Sequence, residues 1–485
     1  MTSLNLAVIF PNNNKRALGI LAQEVAAVTP PVQAALIAAH ARIHGFSAAL
    51  LDAAQANMLP NEAVKWVEHK NPQCVLICTD FINSGDVTKM AAASETAKAI
   101  KEILPQIPVV MEGVVPTAYP ERVLREEGAD LVIRGEPFKP IIELLTLLKA
   151  GRRDLTSIQG LCSASSMGKG ECSLAAPIMD MTHFPEAAHD LIPPSLYRAH
   201  HWHCFDCLDR RTPYAAVFTT VGCPYNCSFC SVGVVTDGPC FRIRPLEQVM
   251  NEIDFLVKQH GVRNLRILDN VFTARADYVE RFCDEIIRRD YDLNMWAYAR
   301  IESIRSPELL SKMKKAGVRW LAYGIEAANE RVKKAISKTT SDSATDRVIE
   351  WTKCAGIWIV GNIIFGLPED DLQSMQESYE LAVKYQFEWA NFYCAVAYPG
   401  TPLHRELVSR GVELPRDWAA YGQYNPNFRP LSTQYVSSEE IVKFRDDAFV
   451  KYYTNPDYIR MIAGTFGQPA VEFIKKILAC GNLRK

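Results

Sequence analysis

Short apolar runs and helical runs alternate along this chain in two separate blocks, a pattern that calls for parallel sheets covered by crossover helices. In the first block the apolar runs are Leu4–Phe10, Ser47–Leu51, Cys74–Thr79, Pro108–Met111 and Leu131–Ile133. Helical spacing falls between or after them, over Val32–His44, Asn61–His69, Ser94–Ile103, Ala118–Glu126 and Lys139–Leu148. Five strands with crossover helices predict a doubly wound, flavodoxin-like or Rossmann-type sheet. Such a sheet binds ligands beyond the carboxyl ends of its strands, at the switch in strand order. The loops gathered there carry Asp80, Gly113 and Arg134-Gly135-Glu136. No G-x-G-x-x-G follows the first strand, so a dinucleotide is not indicated.

The second block begins at Tyr214. Its predicted strands are Tyr214–Thr220, Asn264–Leu268, Asn294–Ala299, Trp320–Ile325, Trp358–Phe365 and Ala390–Val396. Helices are predicted over Leu246–Gln259, Asp277–Arg289, Pro307–Ala316, Ser341–Cys354 and Leu372–Lys384. Six such units fall two short of an eight-stranded ring, and barrel chemistry sits at the carboxyl ends of the strands. Between the blocks, Ser157–Arg211 reads as an ordered connector, with Gly160, Pro177, Pro185 and Pro193-Pro194 and few periodic runs. After about Ser432 the chain turns helical. Ser437-Ser438-Glu439-Glu440 is a capping signature, and Pro469–Leu478 reads as a last helix with Gly481 beyond it. The expected divisions are 1–153, 154–211, 212–431 and 432–485, the last a helical region suited to covering the open side of a partial ring.

At the end of the first strand of the second block stand Cys223, Cys227 and Cys230, at C-x3-C-x2-C spacing. A short loop of this kind aims three thiolates at three irons of a cubane, and without a fourth ligand one iron stays open. The competing reading is zinc, with His203, Cys204 or Cys207 as the fourth ligand. Tetrahedral zinc usually draws its ligands from two separated pairs, which does not match this loop. His200-His201-Trp202-His203-Cys204-Phe205-Asp206-Cys207 poses its own choice between a second metal and packing at the wall of a cleft.

The cysteine loop and its strand–helix context resemble the radical S-adenosylmethionine (SAM) family. The first block resembles the cobalamin-binding domain that precedes some members' cores. That second likeness runs through Thr29-Pro30-Pro31, Asp52, Ile107–Gly113 and Val132–Glu136. The resemblance implies a partial (β/α)6 barrel of the TIM type, with Cys223, Cys227 and Cys230 holding a 4Fe-4S cluster. SAM would bind through Glu326, Arg300 and the strand-five segment from Gly361 to Gly366, and cobalamin beside Gly113 and Gly135. Asn270 and Tyr398 are cleft candidates. A carboxylate such as Glu326 suits the SAM ammonium, and an arginine fork such as Arg300 suits its carboxylate.

Two departures stand out. Glu112-Gly113 replaces a glycine pair frequent in the family, and the D-x-H-x-x-G cobalt-ligating motif is absent after the first strand. The implied activity is C-methylation of an unactivated carbon of a small biosynthetic intermediate. SAM would be used twice, once to methylate cobalamin and once to give a 5′-deoxyadenosyl radical. A cobalamin-assisted cyclisation or oxidation is the alternative within the family, and a cluster-and-cobalamin sensor the alternative outside it. A degenerate first domain that binds nothing also stays open.

Basic and acidic residues balance, 53 against 55, so the charge gives no reason to expect a nucleic-acid partner. Fourteen cysteines are scattered rather than framework-spaced, and no signal segment or membrane span is evident. These features point to a reducing cytoplasm, and an oxygen-labile cluster would favour it. A flavodoxin- or ferredoxin-type electron donor is the implied protein partner.

Overall fold

The computed structural model describes residues 4–14, 27–81, 87–152, 155, 157–167 and 174–479. The expected boundary at Arg153 and the Gly481 stop signal lie outside those residues. The first sheet contains β1 (Leu4–Phe10), β2 (Ala48–Asp52), β3 (Pro72–Cys78), β4 (Val109–Glu112), β5 (Leu131–Ile133) and β6 (Leu161–Ser163). Their order is β2-β1-β3-β4-β5-β6, with β1 to β5 parallel and β6 antiparallel to β5. Both faces are buried, as a parallel sheet between helices requires. Along β1, Leu6 and Val8 pack into one apolar cluster with the helix Val32–Ile43. Ala7 and Ile9 face the other way, with residues of the helices Pro60–Lys70 and Lys89–Ile103. Strand order switches across β1, so the loops after β1 and β3 diverge there and open a crevice.

The second sheet contains β7 (Tyr214–Val217). It is followed in the chain by a separate antiparallel hairpin of β8 (Thr220–Cys223) and β9 (Cys240–Ile243). The sheet then continues through β10 (Asn264–Ile267), β11 (Asn294–Ala299), β12 (Val318–Glu326), β13 (Trp358–Phe365) and β14 (Trp389–Cys394). Its neighbours run in chain order and all pair in parallel, leaving the ring open between β7 and β14. The run expected as one strand over Tyr214–Thr220 is broken at Phe218-Thr219. Asp269 draws the Thr219 and Thr220 backbones out of the sheet, and the second half becomes the hairpin.

The helical C-terminal region closes the sheet. An open edge leaves backbone groups unpaired, and side chains here take the place of a next strand. The Tyr453 phenol accepts from Ala390 N at 3.0 Å and donates to Ala390 O at 2.8 Å. From the segment just before that region, the Gln423 amide pairs both backbone groups of Cys394, at 2.9 Å each. The last two helices, Pro456–Phe466 and Gln468–Ala479, plug the end of the barrel where the strands begin. Phe466 stacks on Trp320 at 5.8 Å and Phe473 on His201 at 4.0 Å.

Candidate functional site

The site starts from a carboxylate. Asp269, fully buried just past β10, accepts from Thr219 N at 2.7 Å, Thr220 N at 3.0 Å and the Thr220 hydroxyl at 2.8 Å. It also accepts from the Thr219 hydroxyl. Four donors on one carboxylate fix the root of the hairpin. Gly222 follows at φ +86°, where a side chain would run into the Cys240 carbonyl, so only glycine lets the two strands close. The hairpin register sets Cys223 opposite Cys240.

Cys223, Cys227 and Cys230 are all partly exposed along the loop that follows. Burial of its sulfur pushes the Cys230 thiol up to about 12, so metal binding has to displace that proton. From the end of β11, Arg300 places Nη1 3.0 Å from Cys227 Sγ and lays its guanidinium 3.9 Å over the Tyr225 ring. Its other edge pairs with Glu302 at 3.0 Å, and the Thr340 hydroxyl donates to the same carboxylate. Burial alone would lower Arg300, but Glu302 and Cys227 outweigh it and keep the cation charged. A permanent positive charge therefore stands beside a thiol of the loop.

Glu326 closes β12 at φ +66°, where the β12–β13 register slips. Its carboxylate lies 3.2 Å from the buried ammonium of Lys338, which also donates to Gly324 O. Glu326 acts electrostatically on Cys230, so the acid at the end of β12 and the cysteine loop share one end of the barrel. The structure thus brings Cys223, Cys227, Cys230, Arg300 and Glu326 together. Lys338 was missed from sequence because it sits beyond a helix, Glu330–Ala335, in a lysine-rich stretch that reads as surface.

The four glycines do not join this group through vacant side-chain space. At Gly361 a side chain would meet the Phe387 ring, and at Gly366 it would meet Ile441. At Gly113 it would meet Thr79, and at Gly135 the backbone of Ala176. Packing within the protein therefore accounts for glycine at all four positions. Beside Gly113, burial pushes Glu112 up to about 8, making it a neutral acid at neutral pH.

The Arg134-Gly135-Glu136 stretch has a further role that the sequence did not show. Glu136, almost fully buried, forms an ion pair with Arg242 of β9, whose second contact is 3.2 Å. Arg242 also donates to Met179 O at 2.7 Å, while Met179 N donates to Glu136 at 2.8 Å. The first domain is tied in this way to the cysteine hairpin itself.

Between the two sheets lies a cleft of about 500 Å³. Phe10, Asn13, Asp52 and Lys89 line it from the strand ends of the first sheet, and Arg266, Tyr298, Asn362 and Tyr393 from the barrel. Tyr398 lines it too, whereas Asn270 does not. His200 and Trp202 lie at its floor, as the wall-of-cleft reading expected. His203 and Cys204 are buried below, bonded to Asn294 and Asn264. Among the described residues no three His, Cys, Asp or Glu side chains converge on a single metal ion. With His203 and Cys204 engaged by Asn294 and Asn264, the cysteine loop stands apart from them. It is compatible with a four-iron cluster, where each thiolate bonds a different iron around a larger object. The thiols on one short loop, with a cation alongside and strand ends open above them, fit such a cluster. The crevice at β1 opens toward the barrel lumen, where a cofactor held by the first sheet would face it.

Comparison with known proteins agrees with this architecture. The radical SAM superfamily model matches residues 217–382, and the B12 binding domain model matches residues 18–144. An uncharacterized methyltransferase of Pyrococcus horikoshii is 26% identical over 429 residues, 88% of each chain. An anaerobic magnesium-protoporphyrin IX monomethyl ester cyclase of Rubrivivax gelatinosus is 26% identical over 430 residues, 88% of this chain and 74% of that one. The solved structure of the radical SAM methyltransferase TsrM from Kitasatospora setae, with cobalamin and a [4Fe-4S] cluster bound, superposes with a TM-score of 0.71. It shares 15% identity and covers 99% of this chain and 100% of its own. The cobalamin-dependent radical SAM enzyme OxsB superposes with a TM-score of 0.67 at 13% identity, over 98% of this chain and 72% of that one. At these identities the solved structures speak for the fold alone. No helix among the described residues is long and apolar enough to cross a membrane. With both family domains present in this order, the chain belongs to the cobalamin-binding-domain-containing radical SAM enzymes.

Proposed function

We propose that this protein is a cobalamin-dependent radical SAM C-methyltransferase acting on an unactivated carbon of a small biosynthetic intermediate. The observation that carries the reading is one cleft lined by the strand ends of the first sheet and by the barrel lumen, with the cysteine hairpin held to the first domain through Arg242 and Glu136. Methyl donor and radical source would then face one substrate. When bound, the cluster supplies the electron that cleaves SAM, and cobalamin carries the methyl group.

Cys223, Cys227 and Cys230 would hold the cluster, and Asp269 would fix their loop. Arg300 would pair with the SAM carboxylate and Glu326 with its ammonium, Lys338 holding Glu326 in place. The backbone from Gly361 to Gly366 would border the adenine, and that at Gly113 and Gly135 the cobalamin. The first domain would extend to about residue 153 and the catalytic barrel over 212–431. A flavodoxin- or ferredoxin-type protein in a reducing cytoplasm would deliver the electron. Relatives named as methyltransferases support methyl transfer, among them a bacteriochlorophyllide d C-12(1)-methyltransferase of Chlorobaculum tepidum, 25% identical over 217 residues. The Rubrivivax gelatinosus cyclase, matched over 88% of this chain as the Pyrococcus horikoshii methyltransferase is, favours cyclisation as the second reading.

The test is anaerobic turnover of the reconstituted holoenzyme with methyl-labelled SAM, a low-potential reductant and a small-molecule extract as substrate source. Methyl transfer yields both 5′-deoxyadenosine and S-adenosylhomocysteine, with label in a new carbon–methyl bond. Formation of 5′-deoxyadenosine without S-adenosylhomocysteine or label transfer would overturn it in favour of the cyclase.

A further inference from the structure

Several cations around the cleft and the strand ends are paired with carboxylates. Arg300 has Glu302, Lys338 has Glu326 and Lys89 has Asp80. Arg266, projecting from β10 into the lumen, has no carboxylate partner among the described residues, and its buried Nε makes no hydrogen bond. Its guanidinium lies 4.5 Å above the Trp296 ring and 5.9 Å from that of Tyr298. Stacking satisfies the flat face of a guanidinium but leaves its in-plane N–H donors unused. Arginine cannot escape the cost of this placement by losing its proton.

Among the described residues no carboxylate pairs with Arg266, and Asp52 in the same cleft accepts from the Tyr197 hydroxyl at 3.0 Å. His200 is lowered to about 3, by burial first and then by Arg266 among nearby cations, so it is neutral. The Asn391 and Asn362 amides are engaged with each other at 2.9 Å. The level in the barrel is also informative. Arg266 pairs in register with Trp296, and Arg300, which meets Cys227, lies four residues further along β11. Roughly 13 Å of strand separates the two levels.

We propose that Arg266 is the anion-binding element of a substrate subsite deep in the lumen. It would receive a carboxylate or phosphate at the far end of the substrate from the reacting carbon, with Trp296 and Tyr298 flanking the apolar body. This rests on the functional reading above for placing a substrate in the cleft. It adds the substrate class: an elongated molecule that is anionic at one end and unactivated at the other.

The test uses the anaerobic holoprotein, loaded with cluster and cobalamin, in calorimetric titrations with 3-phenylpropionate, phenyl phosphate and neutral 3-phenylpropionamide. The better of the two anions binds about tenfold or more tighter than the amide, the ratio of one charge-assisted hydrogen bond. Which anion it is separates a carboxylate substrate from a phosphate one. Arg266→Met abolishes the preference at unchanged iron and cobalamin content, and Arg266→Lys keeps part of it. Equal binding of anion and amide, no anion binding, or an undiminished preference in Arg266→Met overturns the proposal. So does loss of cobalamin from that variant, which would assign the guanidinium to the cofactor. If Arg266→Met does not fold, the wild-type comparison of anion with amide decides alone. An enzyme that binds the anion through Arg266 yet forms no S-adenosylhomocysteine would refute methyl transfer and leave the subsite standing.

Discussion

Cysteines stand at both ends of the barrel, and their surroundings differ in kind. Where the strands begin, Cys204 is fully buried, its thiol donating to Asn264 Oδ1 at 3.4 Å. Cys207 is held between Asp206 at 3.3 Å and Arg263 at 3.4 Å. Around them Asn264 and Asn294 bond the backbones of Arg210 and His203, and Trp202 packs edge-on to Trp296 and Trp320. Where the strands end, Cys223, Cys227 and Cys230 remain partly exposed on a loop whose root is clamped by Asp269. Cys204 is absorbed into packing and the partly exposed Cys207 is occupied by Asp206 and Arg263, whereas the other three thiols stand together on one loop. A parallel barrel imposes this polarity, because the loops at its carboxyl end vary freely while the other end must be filled.

The largest effect that would break this contrast concerns iron. Cys223→Ala, Cys227→Ala and Cys230→Ala combined lose the cluster absorption and iron after anaerobic reconstitution, whereas Cys204→Ala with Cys207→Ala retains both. Cys240→Ala is the sharper control, because Cys240 lies across the hairpin from Cys223. It too keeps its iron, and an iron loss there equal to that of Cys223→Ala would mean that the loop alone does not hold the cluster.

Next in size is the ionic support of the hairpin. Beyond β9, the fully buried Arg244 pairs with Glu252 at 2.7 Å, and His189 meets the same carboxylate at 2.8 Å. Glu252→Gln leaves Arg244 without its anion, a change that costs about 3–5 kcal/mol and is measurable by denaturant unfolding. Burial by itself would raise Glu252, but Arg244 and His189 override it and hold the carboxyl at about 2, below its ordinary 4.5. A depressed carboxylate stabilises the fold above its unfolded value. That stability is therefore lost as pH falls from 4.5 through about 2. The Gln variant lacks this component of the acid transition, and an unchanged pH–stability profile would count against the pair.

A smaller effect separates binding from structure at the open end. Glu326→Gln weakens SAM binding by roughly tenfold to a hundredfold, the worth of about 1.5–3 kcal/mol for one hydrogen bond to a charged group. Iron content stays at the wild-type level. Equilibrium titration checks it, and unchanged affinity would leave Glu326 serving only Lys338. Smallest is the packed end, where Cys204→Ala removes one buried sulfur and costs about 0.5–1.5 kcal/mol, visible as a modest fall in melting temperature with no change in SAM cleavage.

The six barrel strands, five of the six strands of the first sheet and the position of the cysteine loop were legible in the sequence because they rest on local signals, whereas β6, inside the expected connector, was not. β1, β5, β11 and β13 begin and end where the apolar runs do, since burial on both faces selects continuous apolar stretches. The hairpin was not legible. Tyr214–Thr220 is uniformly strand-like, and only Asp269, 49 residues away from Thr220, breaks it. The four glycines illustrate the same limit: a glycine signals close approach, but whether a cofactor or Phe387 approaches depends on the packing of distant elements.

By itself the sequence determined two parallel sheets in series and three thiols at one barrel mouth, because periodicity and spacing act over a few residues. Tertiary structure alone decided what meets across long separations. Glu136 reaches Arg242 106 residues on, and Lys338 returns to Glu326. Arg266, beside aromatic rings, has no carboxylate partner among the described residues. Such pairings depend on which strand ends the folded sheets bring face to face, and no local pattern records that.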